Sequence, residues 1–128
     1  MTGNKYLLDT SIVVHFFKKN VQITKRLDEL SEVFISTVAI GELYYGAYCS
    51  SAPEKHIIMI EDFLQQCKII SIDKQCSITY GKIKAQLKAK GKPIPENDIW
   101  IASVALANNF TLFTTDNHFA EIPDIKLL

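Results

Sequence analysis

The sequence predicts an α/β fold, a mostly parallel sheet with helices covering both of its faces. Two observations carry this reading. Brief apolar runs rich in branched and aromatic residues, the pattern of buried strands, alternate with longer stretches of helical periodicity. Strands separated by helices of that length return to the sheet in parallel, by right-handed crossovers.

The elements follow in order. "KYLL" (5 to 8) reads as the first strand, followed by helical patterns over 11 to 18 and 22 to 31. "VFIS" (33 to 36) is the second strand, ahead of helices over 37 to 49 and 53 to 66. "KIISI" (68 to 72) is the third and leads into helices over 73 to 90 and 97 to 109. "TLFTT" (111 to 115) is the fourth, and "IKLL" at the end is a candidate fifth. Local punctuation supports these boundaries. Ser51 to Glu54 carries capping-box spacing with an early proline, Gly91 follows a lysine-bearing last turn, and Pro93 and Pro95 forbid that helix from continuing. With no repeat, linker or biased tract, residues 1–128 read as one domain.

Composition excludes several classes. At 48% hydrophobic and 22% charged the chain matches ordinary globular proteins, which argues against disorder. Fourteen basic and fourteen acidic residues cancel, so no long-range positive field steers the molecule onto a polyanion. All basic residues but Arg26 are lysines, which disfavours a module reading DNA sequence through bidentate clamps. Cys49, Cys67 and Cys76 form neither a CxxC pair nor a zinc-ligand pattern, so neither a disulfide framework nor a zinc site is expected. Asp9 interrupts the apolar start, and no apolar run approaches the roughly 20 residues a membrane span needs. A soluble, cytoplasmic protein without a membrane partner is the expectation.

In open parallel sheets ligands collect at the carboxyl ends of the strands. Asp9 follows "KYLL" and Asp116 follows "TLFTT", which puts both acids at that edge. Asp98 opens a helix whose apolar stripe runs through Ile101, Ala102 and Ala105, so it lies on the inward face of the first turn. Glu42 shares its helix side with Val38, Ala39, Tyr45 and Gly46, and no Lys or Arg lies between residues 27 and 54. Taken singly, Asp9 and Asp98 also suit helix caps, Asp116 suits a turn, and Glu42 suits an exposed helix face. Taken together they are four acids converging on one crevice. Two carboxylates about 4 Å apart repel by roughly 4 kcal/mol at an effective dielectric near 20, so such a crevice calls for a cation.

Hard oxygen ligands without His or Cys select Mg2+ or Mn2+, and the chemistry that follows is phosphodiester hydrolysis. Thr10, Ser11, Thr115 and Asn117 are placed to orient these carboxylates or their waters, and each also suits a plain turn or cap. His15, His56 and His118 receive no catalytic role, because water activated by a metal needs no imidazole base.

Four stretches, "YLLDTSIV", "ISTVAIGELYYGA", "KPIPENDIWIAS" and "LFTTDNHF", resemble in order and spacing the motifs of PIN-domain ribonucleases, most closely the VapC-type toxins of bacterial toxin–antitoxin pairs. The likeness covers essentially the whole chain. It implies a three-layer α/β/α sandwich, Mg2+- or Mn2+-dependent endoribonuclease activity and inhibition by a small cognate antitoxin. Asp9 and Asp98 match the family's principal metal-binding acids, Glu42 the helical active-site acid and Asp116 the fourth. Ser11 stands where relatives carry another small polar residue. The "GKPIPENDIWIA" wording is especially like toxins that cut transfer RNA.

Lys82, Lys84, Lys88, Lys90 and Lys92 lead toward Asp98, either as a solvated helix face or as an approach for RNA; Lys88, Lys90 and Lys92 are the phosphate contacts expected. Tyr44, Tyr45 and Tyr48 with Phe16 and Phe17 form aromatic helical surfaces. They suit core packing first, and otherwise a groove for a partner helix or the contact of a homodimer, both of which the resemblance implies. Two other readings stand beside the nuclease: a catalytically silent PIN-like module binding RNA or protein, and a phospho-acceptor receiver domain, which lacks here the acidic pair expected after its first strand.

Overall fold

The computed structural model describes residues 5–128. Five strands, β1 (Tyr6–Leu8), β2 (Val33–Ser36), β3 (Lys68–Ile70), β4 (Thr111–Phe113) and β5 (Lys126–Leu127), form one sheet in the order β3-β2-β1-β4-β5. Every pairing is parallel. Six helices, α1 (Thr10–Phe17), α2 (Val21–Glu29), α3 (Thr37–Tyr48), α4 (Pro53–Leu64), α5 (Lys74–Lys90) and α6 (Glu96–Ala107), complete the α/β/α sandwich the sequence predicts.

The order explains where a site forms. From β1 the chain moves outward through β2 to β3, then crosses back to β4 on the other side of β1 and continues outward to β5. The direction of winding reverses between β1 and β4, and a crevice opens outside the carboxyl ends of strands at such a switch. Leu8 pairs with Phe113 at those ends, and the Asp9 amide donates to the Phe113 carbonyl at 3.0 Å.

The core is continuous from the sheet into the helices. Leu7, Leu8, Ile35 and Leu112 are fully buried, as are Ile12 and Val13 of α1. The expected stripe of α6, Ile101, Ala102 and Ala105, is fully buried, and so are Ser103 and Val104 on its other sides. A helix apolar nearly all round belongs in a core, and Ser103 is accommodated there by donating its hydroxyl to the Ile99 carbonyl at 2.6 Å. Phe16 and Phe17 pack on Phe63, with ring centres 5.2 and 5.9 Å away. Tyr45 and Tyr48, by contrast, are exposed.

Most boundaries fall within two residues of expectation, and the departures have local causes. The expected third and fourth strands end early, at Ile70 and Phe113, because Ile72 and Thr114 no longer find ladder partners. The capping box at Ser51 does not form. Ala52 is the cap and Pro53 the first helical residue, so Ser51 stands one position too early for its hydroxyl to reach the first turn. Gly91 behaves as expected, ending α5 at φ +65°, with its amide bonded to the Lys88 carbonyl and that of Lys92 to Leu87. A 3-10 helix, Asn117–Glu121, was not anticipated; it is pinned by Phe119, which is fully buried. Among the described residues no helix is long and apolar enough to cross a membrane.

Candidate active site

Asp9 is set by β1 and by the start of α1. It occupies the cap position of that helix, but its side chain makes no cap bond. One carboxylate oxygen, Oδ2, instead accepts from the Ser11 hydroxyl at 2.9 Å and from the Thr114 hydroxyl at 2.7 Å. The carboxylate is 2% exposed, and neutral hydroxyls are all it meets by hydrogen bonding.

Asp98 lies in the first turn of α6, three residues past the cap at Pro95, and is 8% exposed. Asp98 shares the first turn with Glu96, at the positive end of the helix, but makes no cap hydrogen bond. Its Oδ2 is 3.0 Å from His118 Nδ1, and the same nitrogen is 3.4 Å from Asp116 Oδ1. Burial pushes the Asp98 carboxyl above its ordinary value of 3.8; the negative charges of Asp9 and Asp116 add to the rise, while the His118 hydrogen bond opposes it. Asp9, Asp98 and Asp116 are thus electrostatic neighbours from three elements distant in sequence.

Glu42, on α3, is held from two sides. Thr10 donates its hydroxyl to Oε1 at 2.5 Å, and Asn97 its amide to Oε2 at 3.2 Å. Its two tethers adjoin Asp9 and Asp98 in sequence, so the helical acid is tied to the residues beside the two buried ones.

The four acids do not all share one set of ligand positions. Donor atoms of Asp98, Asp116 and His118 all lie within 4.8 Å of one another, and among the described residues no other trio of His, Cys, Asp or Glu does so. Asp9 and Glu42 border this set, each turned toward hydroxyl or amide donors of its own. Of the supporting residues, Thr10 and Ser11 contact the acids directly. The side chain at the strand end that reaches Asp9 is Thr114, not Thr115, whose backbone amide meets Ser11 at 3.3 Å. Asn117 is exposed at the start of the 3-10 helix. Sequence reasoning missed Thr114, Asn97 and His118. The signal for Thr114 lay in the strand end falling one residue before it.

The lysines are partly engaged. Lys84 pairs with Glu96 at 3.1 Å, while Lys90 and Lys92 each approach Glu121 at 3.8 Å. Among the described residues no lysine or arginine pairs with Asp9, Glu42, Asp98 or Asp116. A buried carboxylate pair accompanied by a third carboxylate, hydroxyls and one imidazole, with no lysine or arginine, fits a divalent cation, since every donor but one is hard oxygen.

Comparison with known proteins gives this arrangement its class. A model of the PIN domain matches residues 6–125, and the chain belongs to that family. Its relatives there carry the VapC name. Ribonuclease VapC2 of Haemophilus influenzae is 38% identical over 114 residues, covering 88% of this chain and 86% of its own. The tRNA(fMet)-specific endonuclease VapC of Salmonella typhimurium is 32% identical over 126 residues, covering 96% of each. Among solved structures, VapBC2 from Rickettsia felis bound to a DNA fragment from their promoter superposes with a TM-score of 0.92 at 32% identity, covering 97% of each chain.

Proposed function

We propose that this protein is a divalent-metal-dependent endoribonuclease, the toxin of a VapC-type toxin–antitoxin pair, acting on structured RNA such as transfer RNA. The observation that carries the reading is the gathering of Asp9, Asp98 and Asp116 at the winding switch of a PIN-family sheet, two of them buried with no lysine or arginine partner. Asp98 and Asp116 would hold the ion, Mg2+ or Mn2+, directly, with Asp9 and Glu42 completing the site from its border and placing the attacking water. When bound, such a cation supplies the Lewis acidity that offsets charge developing on the phosphodiester and eases deprotonation of water.

The chain's own groups do the positioning. Ser11 and Thr114 leave Asp9 one free oxygen directed by the two bonds to the other. Thr10 and Asn97 fix the Glu42 carboxylate in one plane, so that it can accept a proton without turning. Lys88 and Lys90, in the last turn of α5, and Lys92, just beyond it, receive RNA phosphates. The choice of transfer RNA draws on the name of the Salmonella relative and on the "GKPIPENDIWIA" stretch shared in kind with such toxins.

An antitoxin partner belongs to the same reading, since VapC relatives are solved in VapBC complexes. A mostly apolar groove between α1, α3 and α4, lined by Val14, Phe17, Leu43, Ala47, Met59 and Ile60, runs up to Thr10 and Glu42. A segment seated there would cover the Glu42 side of the crevice. Self-association as a homodimer and action in the cytoplasm, where the RNA is, complete the proposal.

The test is cleavage. Purified protein with structured RNA and Mg2+ or Mn2+ is expected to cut it, and EDTA or Asp98→Asn to lower the rate by at least about 100-fold. Cleavage that persists under chelation would reject the metal assignment. Tight Mn2+ and RNA binding without cleavage would make the protein a binding module instead.

A further inference from the structure

We propose that His118 is itself a ligand of the divalent cation, so that this site carries one nitrogen donor among its oxygens and favours Mn2+ over Mg2+. The inference rests on the reading of the acids as a cation site. Its ground is the placement of Nδ1, which is 3.0 Å from Asp98 Oδ2 and 3.4 Å from Asp116 Oδ1, in the one trio of donor atoms that lie within 4.8 Å of one another among the described residues.

Those separations have a geometric meaning. Ligands at right angles around a six-coordinate ion, with bonds of about 2.1 Å, lie about 3.0 Å apart. The imidazole nitrogen and each carboxylate oxygen therefore stand near the spacing of adjacent vertices. The turn that carries the ring is anchored to the core, although the His118 side chain itself is 47% exposed. His118 sits within the 3-10 helix, directly before Phe119, which is fully buried and anchors that turn to the core. Nδ1 faces the acids and, without an ion, donates its proton to the ionised Asp98 carboxylate; as a ligand the ring would take the tautomer protonated on Nε2, with the cation in place of that proton.

The competing account makes His118 a hydrogen-bond partner only, bridging the two acids from outside the coordination sphere. The two accounts predict different selectivity. An all-oxygen set suits Mg2+ and Mn2+ alike, whereas one imidazole nitrogen tilts a site toward first-row transition ions; of these Mn2+ remains the best matched to the surrounding carboxylates.

Pulsed electron paramagnetic resonance of the full chain loaded with Mn2+ separates them. Directly bound imidazole is expected to give a strong 14N modulation that disappears in His118→Ala. In the same variant Mn2+ affinity should fall by about tenfold or more, while Mg2+ affinity, read by competition, falls less. His118→Gln, which keeps the bulk without the ring nitrogen, provides the same readout should the alanine variant fold poorly. Bound Mn2+ with no 14N modulation, or with one unchanged in both variants, overturns the ligand assignment and leaves the acid site standing. Failure of the wild-type protein to bind Mn2+ at all overturns the cation reading beneath it.

Discussion

Asp98 concentrates the conflict between stability and chemistry in a single side chain. Because its folded carboxyl titrates above its ordinary value of 3.8, the native state holds the proton more tightly than the unfolded chain does. Stability therefore falls as pH rises from the ordinary value through the raised one, and above that window the ionised group burdens the fold. Without divalent metal, Asp98→Asn should raise Tm at neutral pH by about 4 °C, or ~1 kcal/mol, and the gain should shrink as the solution is acidified toward pH 4. Calorimetry in EDTA at both pH values reads it, and a lower Tm for the variant at neutral pH would refute the assignment. Asp9 and Asp116 were visible in the sequence because each directly follows a predicted strand, and Asp98 because it shares a helix face with an apolar stripe. Thr114, Asn97 and His118 were not. A threonine, an asparagine and a histidine in a turn or first helical turn look the same whether they face an acid or water, and only the ends of β4 and α6 decide which.

At the level of elements, α3 depends on Ser36. This residue ends β2, is fully buried, and accepts the Ala39 amide on its hydroxyl at 3.2 Å. Ser36→Ala leaves that amide without a partner in the interior, and the expected cost is about 1–2 kcal/mol. Urea denaturation measures this directly, and a midpoint equal to that of the wild type would contradict the role. Since α3 carries Glu42, the cap also sets where the helical acid begins its approach to Thr10 and Asn97. Strands and helices were legible because periodicity and length suffice to distinguish them. The failed capping box at Ser51 marks the limit of local motifs. Pro53 sets the helix start by its own backbone geometry, and the hydroxyl then falls one residue out of register.

Across the whole molecule, balanced charge means that any grip on RNA is local. Lys90 and Lys92 share Glu121, and exposed pairs of this kind are weak enough for a phosphate to displace the glutamate. Replacing Lys88, Lys90 and Lys92 together with alanine should weaken RNA binding and reduce the slope of log affinity against log salt by about two for a single-stranded contact. Fluorescence anisotropy between about 50 and 200 mM salt gives that slope, and an unchanged value would remove these lysines from the RNA path. The connection through Gly91 leads directly from these lysines into α6, whose first turn carries Asp98.

By itself the sequence determined the alternation of strand and helix, the parallel sheet, and the acids that stand at strand ends and on an inward helical face, because hydrophobic period and segment length depend on side-chain chemistry read locally. Only the tertiary structure decided that Asp98 and Asp116 meet at His118 while Asp9 and Glu42 turn to other donors. Those distances come from three or four segments packed together, and a shift of one residue at any strand end changes which side chain faces the crevice.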